Sequence, residues 1–98
     1  MPLKEKQKRY LRGLLHDRKP VVMIGGAGLT ENVMTEIDNA LAHHELVKVK
    51  IAADDRPARS AMIEQIAEQT KSELVQTIGH TASFYRQAEK PKLVLPKA

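Results

Sequence analysis

With 98 residues and no cysteine, the chain reads as one domain that must build its core without staples, and a disulfide scaffold, a cysteine-ligated zinc site and a thiol nucleophile are excluded. The net charge of +4 is uneven: Lys and Arg outnumber Asp and Glu by seven to two in residues 1–19 and four to one in residues 86–98, against five to nine in between. Positive ends around a mildly acidic body suit a polyanionic partner, and equally suit solubilising termini. No apolar run reaches the ~18 residues of a membrane span and no signal-peptide pattern is present, so a soluble, cytoplasmic protein without membrane contact is expected.

The segment LKEKQKRYLRGLLHDR sets Leu3, Tyr10, Leu11, Leu14 and Leu15 on one helical face, with Lys8, Arg9 and Arg12 sharing the adjoining flank. Helix ends before Lys19-Pro20, because the residue preceding proline disfavours helical backbone. PVVMI, a short continuous apolar run, reads as a strand buried on both faces. After Gly25-Gly26-Ala27-Gly28, Thr30 suits an N-cap for a helix that turns Val33, Met34, Ile37, Ala40 and Leu41 inward. ELVKVKIAA alternates Val47, Val49 and Ile51 against Lys48 and Lys50, a strand with one wet, basic face.

DDRPARS supplies an acidic helix start at Asp54 and Asp55 with Pro57 in the first turn, and Met62, Ile63, Ile66 and Ala67 form that helix's buried stripe. ELVQTI and ASFYR are strands joined at Gly79-His80, whose leading glycine suits a type II′ hairpin. The basic tail, residues 87–98, is either mobile or lays its KLVL against the body. The order α-β-α-β-α-β-β over residues 1–86 predicts an α/β fold, a two-layer sandwich around a four-stranded mixed sheet. Strands joined through helices are expected parallel with right-handed crossovers, and the last hairpin adds one antiparallel strand.

Three glycines in four positions raise the question of a phosphate loop. A Walker A loop needs Lys-Ser/Thr after its last glycine, and Leu29-Thr30 stands there. A dinucleotide fingerprint needs a glycine where Glu31 places a carboxylate. What survives is G-x-x-G, Gly25 to Gly28, at the mouth of a helix, where free N–H groups and the helix dipole suit a phosphodiester; a generic strand-to-helix turn is the bland reading.

The run from Lys19-Pro20-Val21-Val22 through Gly25-x-x-Gly28-Leu29-Thr30 to His44-Glu45-Leu46-Val47-Lys48-Val49-Lys50, followed by ELVQTIGHTASFYR, resembles the bacterial single-domain YhbY-like proteins, whose module is the CRM (chloroplast RNA splicing and ribosome maturation) domain. The resemblance implies a fold similar to the C-terminal domain of translation initiation factor three. It also implies RNA binding in assembly of the large ribosomal subunit, with precursor ribosomal RNA and pre-50S particles as partners. Family loops often carry a basic or polar pair between the glycines; here the pair is Gly26-Ala27, so charge must come from Lys8, Arg9, Arg12, Lys19, Lys48, Lys50 and Arg86.

Other chemistry is thin. His43 and His44 point about 100° apart on a helix and lack a third metal ligand at fitting spacing. The negative end of the helix dipole accounts for them. No serine sits in a nucleophile motif and no carboxylates pair at acid–base spacing, so no enzyme, cofactor or small-molecule substrate is expected. Phe84 and Tyr85 point to opposite faces of their strand, so at most one is a stacking platform. A DNA-binding architectural protein and a protein-interaction module docking on a ribosomal protein stay open as alternatives.

Overall fold

Three helices and four strands alternate as α1 (Glu5–Leu15), β1 (Val22–Ile24), α2 (Glu31–His44), β2 (Leu46–Ile51), α3 (Arg56–Thr70), β3 (Glu73–Ile78) and β4 (Thr81–Tyr85), in a computed structural model that describes residues 2–53 and 55–97. Asp54, the first half of the acidic start assigned to α3, lies outside the described residues. The elements form the α/β fold with a four-stranded mixed sheet, in the order β1-β2-β4-β3.

β1 pairs with β2 in parallel, whereas β4 lies between β2 and β3 and is antiparallel to both. β2 and β3 therefore run the same way without being neighbours. The hairpin folds back into the sheet rather than extending it. Composition explains the choice: β4 buries Ala82, Ser83, Phe84 and Tyr85 as a central strand, while β3 carries Gln76, Thr77 and Ile78 towards solvent as an edge. Gly79 alone of the turn pair has positive φ, +56°, as a II′ hairpin requires.

The two faces of the sheet are covered differently. Ile37 and Leu41 of α2 and Ile66 of α3 pack on Val22, Ile24, Val47, Val49, Ile51, Ala82 and Phe84. On the other face Leu11 and Leu15 of α1 cover only Leu46, Val75 and Tyr85, where β2 begins and β4 ends. Among the described residues no helix covers the far end of that face. β1 is consequently not buried on both sides: Val22 and Ile24 point into the core, but Met23 is 63% exposed. Tyr10 is likewise 40% exposed rather than part of the buried stripe of α1.

The tail lies on the body as far as it is described. Leu93 and Leu95 join the α1 cluster, and the Pro96 carbonyl accepts from Gln7 Nε2 at 3.1 Å. A buried glutamate holds the segment. Glu45 caps α2 with a positive φ of 64°, and its carboxylate accepts backbone N–H groups of Ala88 (3.0 Å), Lys92 (2.6 Å) and Leu93 (2.9 Å). Burial alone pushes this carboxyl up; the three N–H donors and the Lys92 ammonium outweigh it and hold it below the usual carboxylate range.

Candidate nucleic-acid interface

The glycine loop leaves the C-terminal end of β1 as a tight turn, with Gly28 N–H donating to the Gly25 carbonyl at 3.0 Å and Thr30 N–H to the Gly28 carbonyl at 3.0 Å. Only Gly28, at φ +75°, needs glycine for its backbone conformation. Gly25 and Gly26 have no positive φ, and a Cβ added to either meets nothing within 4 Å. The chain's own packing does not require them to be bare. Among the described residues the N–H groups of Gly26, Ala27 and Leu29 have no acceptor.

Thr30 is the N-cap of α2, its Oγ1 accepting from Val33 N–H at 3.2 Å, so the positive end of the helix dipole opens beside those donors. Glu31 stands in the same first turn, and its carboxylate opposes an arriving anion. Two neighbouring segments complete this end of the molecule. Ala52 N–H donates to the Ile24 carbonyl at 3.0 Å, and Ile51 N–H to the His80 carbonyl at the hairpin tip at 2.7 Å. Arg59 Nη1 donates to the Ala53 carbonyl at 2.7 Å, and Arg56 opens α3 exposed and without an ion pair among the described residues. Sequence reasoning passed over Arg56, whose signal was the RPAR at the start of α3.

The basic residues predicted from sequence divide into two groups. The side chains of Lys8 and Arg9 on α1, Lys19 before β1 and Lys50 on β2 make no hydrogen bond or ion pair among the described residues. The others work inside the fold. Arg12 pairs with Glu5 at 2.6 Å, and the bond and charge of that guanidinium hold the Glu5 carboxyl below its usual value. Lys48 Nζ donates to the carbonyls of Leu15 and Arg18, both at 3.0 Å, closing the C-terminus of α1. Arg86 ties α2 to α3 through Asp38 Oδ1 (2.5 Å), the Asp38 carbonyl (2.9 Å) and the Thr70 carbonyl (2.8 Å).

The loop and α1 are not adjacent. β2 runs from Leu46, under α1, to Ile51 at the loop end, and its rise puts about 17 Å between them. The uncovered half of the sheet lies between. Phe84 and Tyr85 are both buried, one in each cluster, so neither is a stacking platform. His43 and His44 meet edge to face at 4.6 Å. Burial first, then repulsion from the adjacent His43 and from the Arg18 and Lys92 side chains, pushes the His44 imidazole down, against the direction of the helix dipole.

The model of the CRS1 / YhbY (CRM) domain family matches residues 3–86. A Haemophilus influenzae protein named an RNA-binding protein is 53% identical over 95 residues, covering 97% of this chain and 96% of that one. A Pseudomonas aeruginosa protein named a probable RNA-binding protein is 42% identical over 91 residues, 93% of this chain and 88% of that one. The solution structure of a Staphylococcus aureus protein, described there as a candidate RNA-binding protein, superposes with a TM-score of 0.82 at 40% identity, covering 97% of this chain and all of that one.

Proposed function

Because the chain belongs to the CRS1 / YhbY (CRM) domain family, we propose that it is a non-catalytic RNA-binding protein that acts in assembly of the large ribosomal subunit, on precursor ribosomal RNA within pre-50S particles. Relatives named as RNA-binding proteins over nearly their whole length support the RNA. Resemblance to the single-domain bacterial members supports the ribosomal setting. The observation that carries the site is the pair Gly25-Gly26, bare without any internal steric need, beside unused N–H donors and the N-terminus of α2. The phosphodiester sits on those donors, offset from the Glu31 carboxylate, and Lys8, Arg9, Lys19 and Lys50 supply the charge that the loop lacks.

Cross-linking RNA in cells tests the assembly role, comparing the wild type with Gly26→Asp. That substitution has open space and needs no unusual backbone. Enriched large-subunit precursor RNA that is lost in the variant is the expected result. Scattered RNA with no dependence on the loop overturns the reading.

A further inference from the structure

The sheet face left open by α1 has a defined pattern. Strand register places Met23, Lys50, Thr81 and Ile78 in one row across all four strands. The outer two are 63% and 65% exposed and apolar, and the Lys50 ammonium is free among the described residues. The next row, towards α1, contains Lys48, Ser83 and Gln76. Neither row carries a carboxylate. Between the rows lies a depression of about 130 Å³ lined by Lys48, Gln76, Ile78, Thr81 and Ser83.

Resting on the RNA reading above, we infer that this depression is a single-base site for an unpaired nucleotide of the RNA held at the glycine loop. Its volume is below the ~300 Å³ at which small-molecule sites begin, which suits a single planar ring better than a larger ligand. Its walls are mixed in the way a base requires. Ile78 meets the ring, and the Gln76 amide with the Thr81 and Ser83 hydroxyls faces the polar edge. None of those three side chains has a hydrogen-bond partner among the described residues.

Lys50 stands beside the depression for the adjoining phosphate. Met23 is two residues from Gly25, so a strand crossing this row continues into the loop without a gap. A duplex does not fit this pattern, because it turns its phosphates outward and keeps its bases stacked, leaving the exposed Met23 and Ile78 uncovered. An acidic peptide or a second copy of the chain is the competing occupant.

The test is fluorescence anisotropy with labelled single strands of about 12 nucleotides, one each of U, C, A and G, and with an RNA duplex of similar length. The proteins are the wild type, Lys50→Glu, Gln76→Leu and Gly26→Asp. Lys50→Glu is expected to weaken single-strand binding about tenfold and duplex binding less than twofold. Gln76→Leu is expected to flatten the preference among the four homopolymers while leaving the unfolding midpoint in place. Equal losses on single strand and duplex, or no loss on single strands, overturn the base site. So does competition by an oligoglutamate peptide that is itself sensitive to Lys50→Glu, or concentration-dependent dimers abolished by that variant. Failure of the wild type to bind any of the RNAs sinks the functional reading and this site together. Binding that responds to Gly26→Asp alone sinks only this site.

Discussion

Replacing Glu45 with Ala removes the one acceptor for three backbone donors of the tail, Ala88, Lys92 and Leu93. Bonds from neutral donors to a charged acceptor contribute about 1.5–3 kcal/mol each, so the gross loss is about 4–9 kcal/mol. The observed loss is smaller because the tail can swing into water and rehydrate its amides, giving up the contacts of Leu93 and Leu95 with α1 as it goes. We expect about 2–4 kcal/mol, a large share of the roughly 5–15 kcal/mol that holds a small domain together.

Glycine separates backbone from side chain at this position. At φ 64° Ala keeps the strain that Gly relieves, so Glu45→Gly should be more stable than Glu45→Ala by about 1 kcal/mol. The pH dependence has a defined sign. Because folding lowers the Glu45 carboxyl, its stabilisation is complete above the unfolded value of about 4.3 and is lost as pH falls through the lower folded value. Urea unfolding, with amide exchange at Ala88, Lys92 and Leu93 from pH 7 down to pH 3, measures both effects. Glu45→Ala should expose those amides at pH 7, as acid does in the wild type, and Glu45→Gln should remove most of the acid step. Undiminished protection in Glu45→Ala, with stability within about 0.5 kcal/mol of the wild type, refutes the reasoning.

Removing Lys8 and Arg9 together should lower the log–log salt slope of single-strand RNA binding by about 1.4, roughly 0.7 per phosphate contact; an unchanged slope moves the track off α1. Arg12→Ala should change that slope less than either of them, since its guanidinium is held by Glu5. Gly28→Ala should cost about 1–2 kcal/mol in urea unfolding because φ is +75°, whereas Gly26→Ala should be neutral or slightly stabilising. Lys48→Met should lower thermal stability by freeing the Leu15 and Arg18 carbonyls, and a variant that melts with the wild type would show that those bonds contribute nothing.

Periodicity made the elements legible. The three-four spacing of Ile37 and Leu41, the alternation of Val47, Val49 and Ile51, and Gly79 at the hairpin all describe neighbours a few residues apart. The misreadings involve partners far along the chain. Nothing in PVVMI says that the helix over its second face ends short of Met23. Alternation puts Lys48 and Lys50 on one face, but only the packed structure shows Lys48 reaching helix carbonyls about 30 residues earlier while Lys50 stays free.

The candidate site was legible to the same degree. Gly25–Gly28 and the Thr30 cap stand in the sequence as a motif with a mechanism, whereas the uncovered half-sheet follows from where α1 stops and from β4 entering between β2 and β3. Glu45 shows in the sequence as one acidic residue between two histidines and a strand. Its buried carboxylate is defined by a tail more than 40 residues away. Arg86, at the end of the strand, reads as a surface cation until Asp38 and Thr70 are brought beside it.

The central claim is that the bare loop holds RNA backbone, and the affinity of purified Gly26→Asp for single-stranded RNA, measured at two salt concentrations beside the wild type, tests it most directly. The account predicts wild-type binding that weakens as salt rises, and a variant with an unchanged unfolding midpoint that binds about tenfold more weakly at low salt. A folded Gly26→Asp that binds as tightly as the wild type at both concentrations would contradict it.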